Sequence, residues 1–187
     1  AGLRAIRAWR ACACRASYRR IIPGQMMKRI KLDRIDLQIL TELQNDGRIT
    51  NVDLAARVGI SAPPCLRRVR ALEKAGLIRG YHADLDGKSL GFEVTVFAMV
   101  GLHSQAEADL RAFEALVNSW PLVRECHMLN GDIDFILKCV APDLAAFQGF
   151  LTEKLTPAPN VASVRTSLTI RQSKHLPGVP VEALEEE

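Results

Sequence analysis

The fold of one half of this chain is decided by residues 32–76, which read LDRIDLQILTELQNDGRITNVDLAARVGISAPPCLRRVRALEKAG. Asp33, Thr50 and Ser61 are residue types preferred at helix N-caps, and each precedes a run with apolar residues at helical spacing. Gly59 is a natural left-handed helix stop, so only a three-residue turn separates the second helix from the third. Three capped helices, with a tight glycine-containing turn between the last two, predict a helix-turn-helix.

The third predicted helix carries two chemically different faces. At about 100° per residue, Cys65, Val69 and Leu72 fall together on one face, which is predicted to pack inward. The opposite face holds Pro63, Arg67, Arg70 and Lys74, with Arg68 on its flank. Because guanidinium groups suit phosphate oxygens and guanine edges, this helix is predicted to enter the major groove of DNA. The alternative is a basic face that is simply solvated.

The segment after the third helix is typical of a short β-wing, formed by residues 77–81 and 85–88. Arg79 and Lys88 lie in this segment, at positions suited to contacts with backbone phosphates. We therefore predict a winged helix-turn-helix domain over residues 31–91, with the linker included.

Charge is distributed unevenly along the 187 residues, although the net charge is only +4. Residues 27–91 carry twelve Lys and Arg against eight Asp and Glu, whereas residues 92–187 carry seven against thirteen. A basic unit joined to an acidic one predicts different partners, the first being a polyanion such as double-stranded DNA. The composition, 48% hydrophobic and 25% charged, excludes a disordered or fibrous chain, and no apolar run approaches the roughly 20 residues of a membrane-spanning helix. No membrane partner is expected.

The cysteines and the N-terminal residues 1–30 give information about the cellular compartment of the protein. The five cysteines are an odd number without zinc-site spacing, which indicates reduced thiols in a cytoplasmic protein and no metal. Residues 1–30 are expected to form a disordered extension, to which no function is assigned. Its Arg- and Ala-rich start also resembles an organellar transit peptide or a nucleic-acid-binding arm, and it is also compatible with upstream sequence read through before Met26 or Met27.

The hydrophobic period changes after residue 91. Apolar alternation and helical spacing predict strands near 94–102, 122–129, 133–140 and 161–171 and helices over 107–120 and 143–155. The order βαββαβ predicts a ferredoxin-like sheet over residues 92–173 with both helices on one face, which makes the whole chain an α+β protein. The other face would expose apolar side chains unless a second copy covered it, so a homodimer is expected. The acidic tail, residues 174–187, is expected to be loose.

A small-ligand site is one interpretation of the connection between the second and third strands. Asn130 and Gly131 form a strong hairpin signal, and Asp132 and Asp134 follow it. Two carboxylates beside exposed hairpin amides suit the ammonium and carboxylate groups of an amino acid, although Asp after Asn-Gly also suits a plain turn. The four histidines are scattered, and no nucleophile–base pair or glycine-rich phosphate loop is visible, so neither an enzyme nor a cofactor is predicted.

Residues 32–86 closely resemble the DNA-binding half of the Lrp/AsnC family of prokaryotic transcription factors. ECHMLNGDIDFILKCVAPD (125–143) and VRTSLTI (164–170) resemble its effector-binding half. The likeness covers about residues 31–172 and leaves out the extension and the tail. It implies a sequence-specific DNA-binding transcriptional regulator that responds to an amino acid or a related small molecule.

The resemblance also implies particular site residues. Together with the basic face and the wing, it gives as candidate DNA-binding residues Asn51, Ser61, Pro63, Arg67, Arg68, Arg70, Lys74 and Arg79. The candidate effector-binding residues are Gly131, Asp132 and Asp134 of a Gly-Asp-x-Asp motif and Ser167, Leu168 and Thr169 of the last strand. Dimers in this family often build tetramers or octamers, with amino acids bound near dimer–dimer contacts. The last strand is bulkier and more apolar in leucine-responsive members, which argues against leucine as the effector here.

Two other classes of function remain open from the residues alone. A small-molecule sensor could use the helix-turn-helix for protein contacts, in which case duplex DNA would not bind in a salt-dependent way. A metabolic enzyme could be built on the ferredoxin-like half, but it would need a catalytic constellation that the sequence does not display.

Overall fold

The structure is a computed structural model that describes residues 31–176 and 178–184. The extension expected at residues 1–30 lies outside the described residues. Across the part of the chain that is described, no helix combines the length and apolarity that a membrane crossing requires.

Three helices form the first half in the predicted order: α1 Arg34–Asn45, α2 Asn51–Arg57 and α3 Ala62–Lys74. Asp33 is confirmed as the N-cap of α1: its carboxylate accepts from the Asp36 amide at 2.9 Å, and the Asp36 carboxylate accepts in return from the Asp33 amide at 3.3 Å. Gly59, at φ +74°, makes the tight turn between α2 and α3. The buried core between the helices consists of Ile39, Leu54, Ala55, Val58, Cys65 and Leu72.

The N-terminus of α3 begins at the predicted residue but lacks a side-chain capping hydrogen bond. Ser61 occupies the N-cap position, but its side chain makes no capping hydrogen bond. A cap side chain normally accepts from the second or third helical amide, and Pro63 and Pro64 occupy those positions without an N–H to donate. Ser61 is thus confirmed as the N-cap residue of α3, without a side-chain capping bond, and it is exposed.

The predicted β-wing does not form a hydrogen-bonded ladder. The described residues from 77 to 93 contain turns and extended chain but no strand. Tyr81 turns back toward α3, where its hydroxyl donates to Glu73 at 3.0 Å. Further on, Asp86 accepts from the amides of Lys88 and Ser89, which makes residues 86–89 a side-chain-stabilised turn instead of a strand.

The second half has the predicted βαββαβ order. Its elements are β1 Val94–Leu102, α4 Glu107–Val117, β2 Val123–Met128, β3 Phe135–Ala141, α5 Leu144–Phe150 and β4 Val161–Leu168, with a π-helical turn Leu151–Leu155 after α5. The strands pair antiparallel in the order β2-β3-β1-β4. The ferredoxin-like architecture is thus confirmed, while the long predicted helix over 143–155 changes winding at Leu151.

The two faces of this sheet differ in what covers them. Alternate residues of β1 and β3 are buried against α4 and α5, where Phe113 and Phe135 pack with ring centroids 4.9 Å apart. Because strand side chains alternate, the residues between them point away from the helices. This second surface, called here the open face, carries Phe97, Met99, Ile136 and Val140 outside the buried core.

Part of the tail differs from the loose segment that the sequence predicts over residues 174–187, of which 177 and 185–187 lie outside the described residues. The carboxamide of Gln44 in α1 donates to the Val179 carbonyl at 2.9 Å and accepts from the Val179 amide at 3.0 Å. Val181 is only 4% exposed, in a 3-10 turn Val181–Leu184 that packs on α1. Gly178 has φ +75°, and a Cβ there would collide with the Gln44 carboxamide. The described part of the tail therefore binds the helix-turn-helix half.

Candidate DNA interface and effector site

The outward face of α3 is built by the two-sided pattern of its sequence. Cys65 and Leu72 are buried, while Arg67, Arg70 and Lys74 on the other side are exposed. Within residues 31–176 and 178–184, none of these three cations forms a salt bridge. Cations that no carboxylate neutralises are available to an anionic partner, and their common face gives that partner one direction of approach.

The first turn of α3 extends this surface. Ser61 and Pro63 are both exposed, and the uncapped Ser61 hydroxyl is free to donate or accept. The N-terminal residues of a recognition helix are the ones that reach base edges in helix-turn-helix proteins. Ser61 and Pro63 lie at the start of α3, Arg67 lies near its middle, and Arg70 and Lys74 lie towards its other end.

Asn51 and Arg68 are not free members of this surface. Asn51 is half-buried, and its Nδ2 donates to the carbonyl of Ala62 at 2.9 Å, which joins the start of α2 to the start of α3. Its Oδ1 is buried and has no hydrogen-bond partner among the described residues. The guanidinium of Arg68 instead turns toward α1, where Nη1 lies 2.7 Å from Asp33 and 2.8 Å from Asp36.

Arg79 lies beyond α3 in the segment that lacks a β-ladder. Its side chain is exposed and forms no salt bridge within the described residues. Lys88 lies on the Asp86 turn, where its amide donates to the Asp86 carboxylate at 3.1 Å. Both cations therefore keep the accessibility that a phosphate contact needs, without the strands that the sequence predicts.

The Gly-Asp-x-Asp motif lies in the six-residue connection 129–134 between β2 and β3. Gly131 and Asp132 are exposed, but Asp134 is half-buried and already engaged. Its carboxylate accepts from the Leu102 amide at 2.6 Å, and its own amide donates to the Val100 carbonyl at 3.0 Å. Asp134 thus fastens the loop to the end of β1, and Asp132 is the carboxylate that faces solvent.

The second candidate segment lies on β4, at the edge of the sheet. Ser167 and Leu168 are exposed, and Leu168 remains 54% exposed beside its pairing partner Val96. The Thr169 amide donates to Thr95 at 2.9 Å, while its hydroxyl is buried without a hydrogen-bond partner in the described structure. An unsatisfied buried hydroxyl is unusual in a folded protein.

The structure does not bring the two effector segments together within one chain. Asp134 lies beside Val100 and Leu102, whereas Leu168 pairs with Val96 at the other end of β1. Four residues of strand separate these positions by about 13 Å, and β3 and β4 flank β1 on opposite sides, which adds roughly 10 Å across the sheet. One small molecule cannot touch both segments of the same protomer.

A hydrogen-bond network around Asn160, a residue that no sequence motif indicated, supports the end of β1 at which Asp134 is bound. The Asn160 carboxamide accepts from the Ser104 amide at 2.9 Å and donates to the Ser104 carbonyl at 2.8 Å. Ser104 also donates its hydroxyl to Asp109 at 2.5 Å. The only local signal was an asparagine after Pro159, consistent with its left-handed φ of +67°. The network fixes the chain that leaves β1 next to Asp134.

The cysteines of the sheet do not provide a nucleophile. Burial raises the pKa of the Cys126 and Cys139 thiols to about 11, so both are protonated at neutral pH. Among the described residues, no group of His, Cys, Asp and Glu side chains is arranged to hold a metal ion.

Comparisons with known proteins match both halves. A family model described as "Winged helix-turn-helix DNA-binding" matches residues 32–79, and one described as "Lrp/AsnC ligand binding domain" matches residues 95–179. A leucine-responsive regulatory protein from Rhizobium meliloti is 61% identical over 149 residues, covering 80% of this chain and 96% of the relative. The Escherichia coli K12 leucine-responsive regulatory protein is 43% identical over 143 residues, covering 76% and 87%.

Solved structures show the same likeness. A transcriptional regulator from Neisseria meningitidis, in complex with L-methionine, is 37% identical with a TM-score of 0.78 and covers 82% of this chain and 99% of its own. The AsnC structure from E. coli is 25% identical with a TM-score of 0.72, covering 78% and 97%.

A winged helix-turn-helix joined to a ligand-binding ferredoxin-like domain defines a DNA-binding transcriptional regulator that responds to a small molecule, not an enzyme. The chain belongs to the Lrp/AsnC family of such regulators.

Proposed function

We propose that this regulator reads double-stranded DNA with α3, and that some residues of its outward face contact bases while others contact phosphates. Ser61 and Pro63 at its start and Arg67 near its middle contact base edges in the major groove, because the N-terminal part of a recognition helix reaches the bases. Arg70 and Lys74 contact phosphates, together with Arg79 beyond the helix. The observation that carries this assignment is that the exposed cations of α3 have no carboxylate partner in the described structure.

The proposed effector is an amino acid, bound through its ammonium and carboxylate groups. Asp132 is the exposed carboxylate of the Gly-Asp-x-Asp motif and would pair with the ammonium. Gly131 would offer a backbone amide to the carboxylate, while Asp134 holds the loop in place. The methionine complex of the Neisseria regulator supports this class of ligand. Because Ser167 and Thr169 are small and polar, we propose an effector other than leucine.

The proposed assembly is a homodimer that builds a larger oligomer. The open face carries apolar side chains outside the core, and a second copy would remove them from water. Because the two effector segments of one chain are too far apart for one small molecule, Asp132 of one copy and Ser167, Leu168 and Thr169 of another would complete the site together. A tetramer or octamer supplies such contacts between dimers.

Selection of bound DNA from a random pool, repeated with each of the twenty amino acids, tests the proposal. We expect a pseudo-palindromic site with half-sites about 10 base pairs apart and a change of affinity or site preference with at least one amino acid. Recovery of no enriched sequence, together with binding that does not weaken as salt rises, would refute recognition of DNA through α3.

A further inference from the structure

The arginines of the helix-turn-helix half fall into two groups by their contacts. Arg67 and Arg70 are exposed on α3 without carboxylate partners in the described residues. Arg68, between them in sequence, has its Nη1 within 2.8 Å of carboxylate oxygens on two residues of α1. Arg68 would have to break its contacts with Asp33 and Asp36 before it could bind a phosphate. A role that keeps these contacts is therefore simpler than a phosphate contact.

The partners of Arg68 occupy a particular place. Asp33 is the N-cap of α1 and Asp36 lies in its first turn, and the two already hold each other's amides in the reciprocal cap. Arg68 therefore binds the rigid start of α1 instead of a flexible surface acid. The guanidinium is 32% exposed and the Asp36 carboxylate 17%, so water and salt screen this contact less than a fully exposed pair.

The charges of this contact persist at neutral pH. Hydrogen bonds from the Asp36 amide and from Arg68 lower the pKa of Asp33 below its usual value. Bonding to Asp36 and Asp33 in turn raises the pKa of Arg68. Both shifts favour the charged forms of Asp33 and Arg68, so the ion pair between these two residues is present at neutral pH.

We infer that Arg68 is a positioning residue, which sets the tilt of α3 on α1 through Asp33 and Asp36 and does not itself neutralise a DNA phosphate. The inference rests on the proposed function of α3 and assigns one of its residues a different task. The apolar contacts of Cys65 and Leu72 hold α3 against the core. The Asn51–Ala62 hydrogen bond ties the start of α3 to α2, and Arg68 supplies the directional contact from α3 to α1.

The lever arm explains why tilt matters. Arg68 is six residues from Ala62 at the start of α3, which is about 9 Å along the helix. A tilt of about 10° around Arg68 would then move the start of α3, where Ser61 and Pro63 lie, by about 1.6 Å. A hydrogen bond tolerates only a few tenths of an ångström before it weakens. Loss of the contact should therefore cost base recognition more than phosphate binding.

The test compares Arg68→Gln with Arg70→Gln, a matched change two positions along the same helix. Affinity is measured over a salt series for the duplex selected from the random pool and for a scrambled duplex of the same length. We expect Arg68→Gln to weaken the selected duplex about tenfold, as for one lost base contact, with an unchanged salt slope and an almost unchanged scrambled affinity. Arg70→Gln should weaken both duplexes and reduce the slope by about 0.9, the value for one phosphate.

Asp36→Asn provides the complementary variant. If Arg68 positions α3, Asp36→Asn also lowers the affinity for the selected duplex, and the Arg68→Gln/Asp36→Asn double variant is no worse than Arg68→Gln alone. If Arg68 instead binds phosphate, removing an acid beside it strengthens binding to both duplexes. Arg68→Lys, which keeps the charge and can bond one carboxylate, should recover part of the discrimination between the duplexes.

The outcomes separate this inference from the proposed function. Wild-type protein without salt-dependent duplex binding would refute the proposed function itself. Wild-type binding combined with a slope reduced by about 0.9 in Arg68→Gln, or with tighter binding by Asp36→Asn, would overturn the positioning role and leave DNA binding intact. All variants are compared at a temperature where circular dichroism shows each to be folded. If Arg68→Gln is not folded there, the Asp36→Asn and Arg68→Lys results decide.

Discussion

Asp134 and Asp132 lie two residues apart in one loop, and substitution can separate the structural role of Asp134 from the proposed ligand role of Asp132. Its carboxylate accepts from the Leu102 amide at 2.6 Å, at the point where the register between β1 and β4 shifts. Asp134→Ala leaves that amide without its charged acceptor. Such hydrogen bonds contribute about 1.5–3 kcal/mol, and because the site is half-buried, water replaces part of this bond. We therefore expect a loss of about 1.5 kcal/mol in the free energy of unfolding.

The matched control is Asp132→Ala, two residues away in the same loop. Asp132 is exposed and makes no side-chain hydrogen bond within the described residues, so its removal should change stability by less than about 0.5 kcal/mol. Asp132→Ala should nevertheless abolish effector binding, because it removes the proposed partner of the ammonium group. Asp134→Asn, which retains a neutral acceptor, should lose about half as much stability as Asp134→Ala.

Urea unfolding and calorimetry test these expectations together, at one fixed protein concentration because assembly contributes to apparent stability. For a domain of this size, a loss of about 1.5 kcal/mol lowers the midpoint temperature of thermal unfolding, which scanning calorimetry measures, by roughly 6–12 °C. DNA affinity in the absence of effector should be unchanged in both alanine variants. Equal stability of Asp134→Ala and wild type would refute the structural role, and normal effector binding by Asp132→Ala would refute the ligand role.

Three further predictions concern the core, the tail and charge. Phe135→Ala should lower the free energy of unfolding by about 3–5 kcal/mol, since the fully buried ring leaves a cavity; a loss below about 1 kcal/mol in urea unfolding would contradict the packing. Gln44→Ala should release the tail and speed proteolysis within residues 178–184, whereas an unchanged cleavage rate would mean that the tail is not bound. A side-chain hydrogen bond from Lys138 lowers the pKa of Glu125, so this carboxylate stabilises the fold above its unfolded pKa and ceases to do so as pH falls through its folded value. The free energy of unfolding of the wild type should therefore fall more than that of Glu125→Gln between about pH 5 and pH 3. If the two proteins lose stability in parallel over this range, the Glu125–Lys138 ion pair is not a source of stability.

The proposed dimer has its own test on the open face. Phe97→Glu places a charge among apolar side chains that a second copy is proposed to cover. The helix-facing core is untouched, so the variant should fold and elute as a smaller species in size-exclusion chromatography with light scattering. An unchanged molar mass would place the dimer contact elsewhere.

Much of the DNA-binding half could be predicted because its signals act over short distances. The cap pair Asp33 and Asp36 is three residues apart, and Gly59 needs only its own backbone angle to make the turn. In the second half, the alternation of apolar residues over 94–102 likewise predicted strand β1. Patterns of this kind are read from one segment at a time.

Predictions failed or remained incomplete where a partner lies far along the chain or where neighbouring chemistry interferes. Ser61 is the N-cap of α3 as predicted, but it makes no side-chain capping bond because Pro63 and Pro64 lack the amides that it would bind. The prediction of strands in the wing was wrong, since residues 77–93 pair with no other strand of the described structure. Arg68 looked like one more cation of the basic face, since its carboxylate partners are 32 and 35 residues away.

The sequence by itself determined the order of helices and strands, the basic face of α3 and the family, because capping, periodicity and motif spacing are local properties. Only the tertiary structure decided which cations are free and which are held, that Asp134 is bound to a backbone amide, and that the two effector segments lie at opposite ends of β1. It also placed the tail on Gln44, 135 residues away in sequence. The physical reason is that hydrogen bonds and ion pairs form only within a few ångströms, and folding alone brings distant residues that close.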